Sequence, residues 1–409
     1  MDLSQLPPLP IDEVLPGLPE LLCRHGAVVL TAPPGAGKTT RVPLTLAASD
    51  KVGHGQILLL EPRRMAARAC ASHMAALLDE PVGRTVGFQV RFFGRHSKDT
   101  RILVVTEGIL TRRFIDDPLL EGVSCVIIDE FHERSVHADL ALAFCRETMR
   151  ARDDLRLMVM SATMDPREVS AFLFDCPIVE VEGRPFPVEV TWADGMDGTL
   201  EVRTAAAIRR VLAVQEDGDV LVFLPGAGEI ERVRRSLHGL AGVEVLPLYG
   251  ALPAQAQDAV LQPGTRRRII LSTNIAETSL TIPGVRVVVD SGLVKRVQWA
   301  PSGLDRLDTV KTSLYSAVQR AGRAGRTAPG FVYRMWTRAL EKEKPVADEP
   351  EIRRVDPASF LLPLLLSAPG DPEAFPLLTR PVGANVKKAL ALLRLLGARA
   401  LARTAEQPG

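Results

Sequence analysis

The sequence predicts an α/β chain made of two successive doubly wound layers, followed by a partial helical segment. Three observations predict it. Short runs that are apolar almost throughout recur from Ala27 onward, as expected of parallel strands covered on both faces. Between them lie Ala- and Arg-rich stretches long enough to serve as crossover helices, such as Met65–Leu78 and Ala138–Met149; alternation with crossovers of that length gives a parallel sheet. The rhythm pauses at Glu180-Val181-Glu182-Gly183-Arg184-Pro185-Phe186-Pro187 and then restarts.

Taken in order, residues 1–20 are Pro-rich and read as a lead-in helix and turns. The first layer takes its strands from Ala27–Ala32, Gln56–Pro62, Ile102–Thr106, Cys125–Glu130 and Leu157–Ala162. The second takes Val188–Trp192, Asp219–Pro225, Val243–Tyr249, Arg268–Thr273, Arg286–Asp290 and Phe331–Met335. Within it, the alternating Val294-Lys295-Arg296-Val297-Gln298-Trp299, a turn at Pro301-Ser302-Gly303 and Leu304–Val310 predict a β-hairpin. After Glu341-Lys342-Glu343-Lys344-Pro345 the character changes. Asp356–Leu366 and Asn385–Leu401 predict amphipathic helices, with Asn385 as N-cap of the second. The expected domains are therefore 1–180, 181–345 and 346–409. Two helices bury little surface by themselves, so the last unit is either docked on the others or the start of something longer.

Composition bounds the function classes. At 409 residues, two or three domains are expected. Apolar content of 46% with 24% charge excludes a disordered chain. The longest apolar run, Phe360-Leu361-Leu362-Pro363-Leu364-Leu365-Leu366, is far too short to span a bilayer. Met1-Asp2-Leu3-Ser4 lacks the basic start and apolar core of a secretion signal. Cys23, Cys70, Cys125, Cys145 and Cys176 show neither metal-site spacing nor a disulfide framework, so a reducing cytoplasm is expected. A net charge of +1 requires any nucleic-acid surface to be local.

The motif at Ala32-Pro33-Pro34-Gly35-Ala36-Gly37-Lys38-Thr39-Thr40 follows an apolar strand and opens a helix. A Gly-rich turn at a helix N-terminus makes a phosphate cradle. Its backbone N–H groups point inward, Lys38 adds a positive charge near the β/γ-phosphates, and Thr39 supplies a hydroxyl for Mg2+. Pro34, Gly35, Ala36, Gly37, Lys38, Thr39 and Thr40 are thus the nucleotide-binding residues. Ala32 stands where the strict pattern has Gly; the close backbone approach is needed mainly at Gly35 and Gly37.

Asp129-Glu130 closes the apolar strand Cys125-Val126-Ile127-Ile128. Carboxyl ends of strands face the ligand crevice in such layers. Asp129 is placed to hold Mg2+ through water and Glu130 to orient and deprotonate the attacking water; Glu130 also counts with Thr39 and Asp129 among the candidate metal residues. His132 reads as a hydrogen-bonding coupler at the nucleotide site, because no second His is spaced to share a metal. Farther on, Gln319, Arg323 and Arg326 are three to four residues apart, as on one helical face, and the Arg pair suits charge stabilisation on a transferred phosphoryl group.

Asp129-Glu130-Phe131-His132-Glu133-Arg134 resembles motif II of the DEAH/RHA branch of superfamily 2 helicases. Phe131 stands where most members have Ala, as in the bacterial HrpB-type helicases of that branch. Other motifs follow in family order: Glu61-Pro62-Arg63-Arg64 is similar to motif Ia, Thr106-Glu107-Gly108 to motif Ib and Ser161-Ala162-Thr163 to motif III. Phe223-Leu224-Pro225-Gly226 resembles motif IV, Thr273-Asn274-Ile275-Ala276-Glu277-Thr278-Ser279 motif V, and Gln319-Arg320-Ala321-Gly322-Arg323-Ala324-Gly325-Arg326 motif VI. The likeness spans residues 25–345, and 346–409 resembles the start of the winged-helix segment that follows in the family.

The resemblance implies two RecA-like domains, ATP as cofactor with other nucleoside triphosphates tolerated, and Mg2+. It assigns Gln319 to the attacking water and Arg323 and Arg326 to the γ-phosphate, and it makes Ser161 and Thr163 couplers of nucleotide state. It places Arg63, Arg64, Thr106, Glu107, Gly108, Pro225, Gly226, Thr273, Asn274 and Thr278 along a single-stranded RNA backbone, and gives the hairpin a part in strand separation. Trp299 in that hairpin reads either as a base wedge or as core; Arg112-Arg113 and Arg266-Arg267-Arg268 read either as added binding charge or as solvated surface. The implied function is an RNA helicase moving 3′→5′ on single-stranded or partly duplex RNA, with DNA left open, acting as a cytoplasmic monomer without a membrane. Relatives continue into further C-terminal domains, so a truncated chain is expected. Two rivals stand beside this reading: an ATPase that remodels RNA–protein complexes without strand separation, and a nucleotide-controlled RNA clamp.

Overall fold

The computed structural model describes residues 6–162, 164–183, 186–277, 282–299, 305–326, 328–368 and 371–397. Thr163, Thr278, the hairpin turn Pro301-Ser302-Gly303 and the expected helix end at Leu401 lie outside the described residues. The chain divides into two compact units. One comprises Met1–Gly183, Trp299–Asp305 and Glu349–Gly409; the other comprises Arg184–Gln298 and Arg306–Asp348.

In the first unit, α1 (Leu18–His25) ends at Gly26, whose φ of 76° turns the chain into β1 (Ala27–Thr31). Then follow α2 (Lys38–Ala47), β2 (Gln56–Leu60), α3 (Arg64–Leu77), β3 (Val86–Val90), β4 (Phe93–Arg95) and β5 (Ile102–Val105). The stretch is completed by α4 (Glu107–Asp116), β6 (Val123–Ile128), α5 (Val136–Ala151), β7 (Arg156–Ser161), α6 (Pro166–Phe172) and β8 (Ile178–Glu180). The sheet order is β4-β3-β5-β2-β6-β7-β1-β8, parallel except for the β3–β4 pair. Successive strand residues point to opposite faces. Leu58, Leu60, Val126 and Ile128 therefore pack on one side with Leu110 of α4 and Leu140 of α5. Ile57, Leu59, Cys125 and Ile127 pack on the other with Val42 of α2 and Met74 of α3. This double burial is why these strands are apolar throughout. Strands β3, β4 and β8 had no such signature: Gly87 and Gln89 interrupt β3, and β4 is exposed along its length.

The second unit starts with β9 (Val188–Trp192), α7 (Leu200–Val214), β10 (Asp219–Phe223), α8 (Ala227–Ser236), β11 (Val243–Leu248), α9 (Ala254–Leu261), β12 (Arg267–Ser272) and β13 (Val285–Asp290). The predicted hairpin is β14 (Leu293–Trp299) and β15 (Asp305–Lys311), a separate two-stranded sheet. After it come α10 (Leu314–Ala321), β16 (Gly330–Arg334) and α11 (Arg338–Glu341). The main sheet runs β11-β12-β10-β13-β16-β9, parallel throughout. Both units have the RecA-like α/β architecture.

The last described helices are α12 (Ala358–Ser367) and α13 (Gly383–Leu395). Phe360, Leu361, Leu364, Val386, Leu390 and Leu393 are buried in the same cluster as Leu110, Phe114 and Phe144 of the first unit. Their attachment is also polar. Arg134 donates to Thr379 Oγ1 at 2.7 Å, and the Glu351 carboxylate accepts from the Val136 N–H at 3.0 Å. Ile352 and the inner residues of α12 and α13 thus share the first unit's core. Asn385 is not the N-cap of α13: the helix begins at Gly383, with Val382 at its cap. No helix among the described residues is long and apolar enough to cross a membrane.

Candidate nucleotide-binding site

The carboxyl ends of the first unit's strands bring most of the predicted residues to one edge of the sheet. Across β5, β2, β6, β7 and β1, that edge carries Thr106, then Arg63 and Arg64, then Asp129 and Glu130, then Ser161, then the Gly-rich loop. Parallel pairing fixes this order, because every strand delivers its C-terminal residues to the same side.

In the loop, Gly35 and Gly37 take φ of 86° and 94°, a region that an L side chain rarely occupies. Gly37 caps α2 directly before Lys38, so the first N–H groups of the helix open onto the loop. A Cβ on Gly37 would stand 2.6 Å from Leu9 Cδ1 and 3.1 Å from Ile11. The N-terminal stretch closes the other side: the Ile11 N–H donates to Ala36 O at 3.2 Å, and Arg41 of α2 makes paired 2.9 Å bonds to both Asp12 carboxylate oxygens. Arg41 also donates to Pro7 O at 2.6 Å. The sequence reading missed this brace. Its signal was a helix arginine on the inner side of a core helix, which needs an acid partner.

Lys38 Nζ lies 3.0 Å from Glu130 Oε1 and 3.3 Å from Asp129 Oδ1, all three side chains being buried. Burial pulls the pKa of Lys38 down, but the two carboxylates outweigh it and hold the pKa above the ordinary lysine value. Asp129 is pushed up by burial and by Glu130, against the pull of Lys38 and of Thr39. The Thr39 hydroxyl donates to Asp129 Oδ2 at 2.5 Å. Thr39 and Asp129 thus juxtapose two hard oxygen donors at the loop. Among the described residues no group of three or more His, Cys, Asp or Glu could hold a metal. A cation fitting this pair would draw its remaining ligands from phosphate and water, the habit of Mg2+.

Glu130 has φ 51° and ψ 34°, a sparsely populated region for a non-glycine residue. His132 Nε2 stands 3.4 Å from Glu130 Oε2, while its Nδ1 accepts from the Ala162 N–H at 3.5 Å. His132 therefore touches both the acid pair and the Ser161-Ala162 segment after β7. Ser161 itself is fully buried.

At the β5–β2 part of the edge, Arg63 is paired with Glu133 at 3.2 Å and Arg64 is exposed. Thr106 is the N-cap of α4, and Gly108 is exposed. Glu107 receives a hydrogen bond from Ser135. Burial pushes its pKa up to about 8, with Glu133 and Glu351 adding to the rise and Ser135 and Arg63 opposing it.

In the second unit, Pro225-Gly226 follow β10 and Thr273-Asn274 follow the adjacent β12. Gly226 leaves room for Lys295: a Cβ there would meet its Nζ at 2.8 Å. Gln319, Arg323 and Arg326 do not share a helical face. Helix α10 stops at Ala321, because Gly322 caps it, and both arginines follow in turns. Arg323 instead donates to Glu277 O at 2.9 Å. Gln319, Arg320 and Arg323 are all buried, and Arg320 is bonded to Asp290 Oδ1 at 2.7 Å and Glu277 Oε2 at 2.9 Å. Burial works against its charge, but Asp290 and Glu277 outweigh it and raise its pKa.

The two Arg runs, read either as binding charge or as solvated surface, divide residue by residue. Arg268 is neither solvated nor a binding charge; it is 2% exposed and paired with Asp219 at 2.7 Å. Arg112 is exposed on an Asp116 pair, whereas half-buried Arg113 donates to Gln56 Oε1 at 2.9 Å. Trp299 is half-buried, and its backbone N–H donates to Arg354 O at 2.8 Å.

A parallel sheet carrying a phosphate loop at a helix N-terminus, with a Lys–Asp–Glu cluster at the ends of the neighbouring strands, defines the class of P-loop nucleotide-binding α/β proteins. The DEAD/DEAH box helicase model matches residues 17–172, and the helicase conserved C-terminal domain model matches residues 203–328. Over 95% of its length the chain is 44% identical to the ATP-dependent RNA helicase HrpB of Escherichia coli strain K12, spanning 49% of that protein. It is 35% identical to the ATP-dependent RNA helicase HrpA of the same organism, spanning 31% of it. A crystal structure of the Escherichia coli DEAH/RHA helicase HrpB superposes with a TM-score of 0.89 at 43% identity, over 95% of this chain and 50% of that one. The chain belongs to the DEAH/RHA family of superfamily 2 helicases, on its HrpB-like branch. It spans about half the length of the HrpB proteins it matches.

Proposed function

We propose that this chain is an ATP-dependent RNA helicase that couples hydrolysis to 3′→5′ movement on single-stranded RNA and to duplex separation. The observation that carries the proposal is the buried Lys38–Glu130–Asp129 cluster beside Thr39. A pocket that only bound nucleotide would not need an acid held in strained backbone beside the phosphate loop. In this reading the loop N–H groups and Lys38 hold the β- and γ-phosphates, with Pro34, Gly35, Ala36, Gly37 and Thr40 forming the cradle. Thr39 and Asp129 would hold Mg2+, which neutralises phosphate charge when bound. Glu130 orients the attacking water and takes its proton; Gln319 aligns that water. Arg323 and Arg326 neutralise charge on the transferred phosphoryl group.

Coupling runs through His132 to Ser161 and Thr163, since His132 touches both Glu130 and Ala162. Arg63, Arg64, Thr106, Glu107, Gly108, Pro225, Gly226, Thr273, Asn274 and Thr278 follow the nucleic-acid backbone through phosphate and sugar contacts. The relatives named RNA helicases support RNA over DNA as substrate, and the chain is taken to work as a cytoplasmic monomer. The test measures ATPase rate with and without single-stranded RNA or DNA, beside displacement of tailed duplexes. RNA-stimulated hydrolysis with displacement of 3′-tailed duplexes alone is expected. Hydrolysis with no displacement would favour a remodelling ATPase, and tight RNA binding without turnover would favour a clamp.

A further inference from the structure

Lys344 is 7% exposed, yet it carries an ammonium group. Its Nζ donates to Gly292 O at 3.2 Å, Thr312 O at 3.3 Å and Thr312 Oγ1 at 3.1 Å. Those acceptors lie at the two ends of the hairpin, because Gly292 directly precedes β14 and Thr312 directly follows β15. The Thr312 N–H also donates to Gly292 O at 2.9 Å, closing the base. A lysine has three donors and no acceptor, and here all three acceptors belong to one structural joint. Burial pulls its pKa down to about 8, with Arg320 and Lys311 adding to the fall and Asp290 and Glu341 opposing it.

The joint is held from below. Nζ sits 4.3 Å from the centroid of the buried Trp336 ring, a favourable placement for a cation. The indole N–H of Trp336 donates to Glu341 Oε2 at 3.0 Å, and that same oxygen accepts from Trp192 at 2.7 Å and Arg334 at 2.6 Å. Gly292, at φ +70°, has no room for a side chain: a Cβ would be 2.6 Å from the Trp336 ring and 3.1 Å from Lys344 Nζ.

The joint also continues toward the Arg-rich turn. Gly292 N–H donates to Asp290 Oδ1 at 2.9 Å, and Arg320 donates to the same oxygen at 2.7 Å and to Leu293 O at 3.3 Å. The segment after Lys344 runs beside the start of α10, with Leu314 N–H donating to Pro345 O at 2.9 Å and Tyr315 N–H to Val346 O at 3.1 Å.

We propose that Lys344 is a positioning residue: its ammonium fastens both ends of the β14–β15 hairpin and, through Gly292, Asp290 and Arg320, joins the hairpin to the helix bearing Gln319 so that the two move as one body. Its consequence for strand separation rests on the helicase reading above. The fastening itself does not.

Two measurements on Lys344→Met, which keeps length and removes the donors, separate these claims. Hydrogen exchange reads the fastening. Amides of β14 and β15 are expected to exchange about tenfold faster while those of β10 and β13 are unchanged. Unchanged hairpin exchange, or faster exchange across the whole sheet, overturns the proposal. Displacement of a short RNA duplex with a 3′ single-stranded tail, compared with ATPase on the single strand, reads the consequence. The variant is expected to keep hydrolysis within about twofold and to separate about tenfold fewer duplexes per ATP consumed. Displacement that falls only in step with hydrolysis overturns the coupling. If the wild type separates no duplex, the helicase reading fails and hydrogen exchange still decides the fastening. Thr312→Val removes one acceptor and is expected to shift both readouts in the same direction by less, whereas Lys344→Arg restores them in part.

Discussion

Lys38 Nζ and Glu130 Oε1, ninety-two positions apart in the chain, meet at 3.0 Å in a buried setting. One opens α2, directly after the loop that follows β1, and the other lies at the end of β6, with β7 between those strands. Neither charge is tolerable there alone. Lys38→Ala should therefore lower ATP affinity about tenfold and turnover about 100-fold or more. Titration with a fluorescent ATP analogue beside steady-state ATPase measures both. Unchanged affinity would count against the loop as a phosphate cradle.

Glu130→Gln keeps the shape and the hydrogen bond to Lys38 but cannot take a proton. Nucleotide affinity should stay within about threefold while turnover falls about 100- to 10,000-fold, the usual span for losing a general base. Turnover near wild type would remove Glu130 from water activation.

Glu107→Gln tests the carboxyl group whose pKa burial raises to about 8, from the ordinary 4.5. The fold favours its protonated form, so that stabilisation is complete below about pH 4.5 and is lost as pH rises toward 8. The variant cannot ionise. Its Tm should fall less than the wild type's across that window and exceed it above pH 8. Parallel Tm–pH curves would show that Glu107 ionises without a penalty.

Arg268→Ala leaves Asp219 buried without its charge partner, only the backbone N–H at 268 still donating to it. The loss should be about 3–5 kcal/mol in the second unit's unfolding, the usual result of breaking such a pair, read by urea denaturation. RNA affinity should remain unchanged. A loss of affinity without a loss of stability would return Arg268 to the binding surface.

Arg268 also shows where sequence reasoning stops. Three consecutive arginines look like surface charge, and nothing local announces that Asp219, forty-nine positions earlier, is waiting inside. The same limit hid Asp12 and Arg41, and Lys344, because a buried ion pair or a buried ammonium is defined by its partners and not by its own neighbours in sequence. The strands buried on both faces were legible for the opposite reason. Their environment is uniform, so every residue from Cys125 to Ile128 reports it. The meeting of Lys38 and Thr39 with Asp129 and Glu130 could also be anticipated, since a phosphate loop and strand-end acids are local patterns. What failed was periodicity carried too far: Gln319, Arg323 and Arg326 fit a helix by spacing, but Gly322 ends it.

The C-terminal helices have a consequence for synthesis. The α4–α5 face that carries Leu110, Phe114 and Phe144 packs against α12, and Phe144 meets the Phe375 ring; these covering residues leave the ribosome only after the entire second unit. The second unit is interrupted only by Trp299–Asp305, so its contacts can form while those of its predecessor are still unfinished. Contacts spanning more than two hundred positions are slow to close, and an open apolar flank invites association in the meantime. The earlier-made unit is thus the later to be finished, and its exposed α4–α5 face is where a nascent chain of this protein most needs a chaperone.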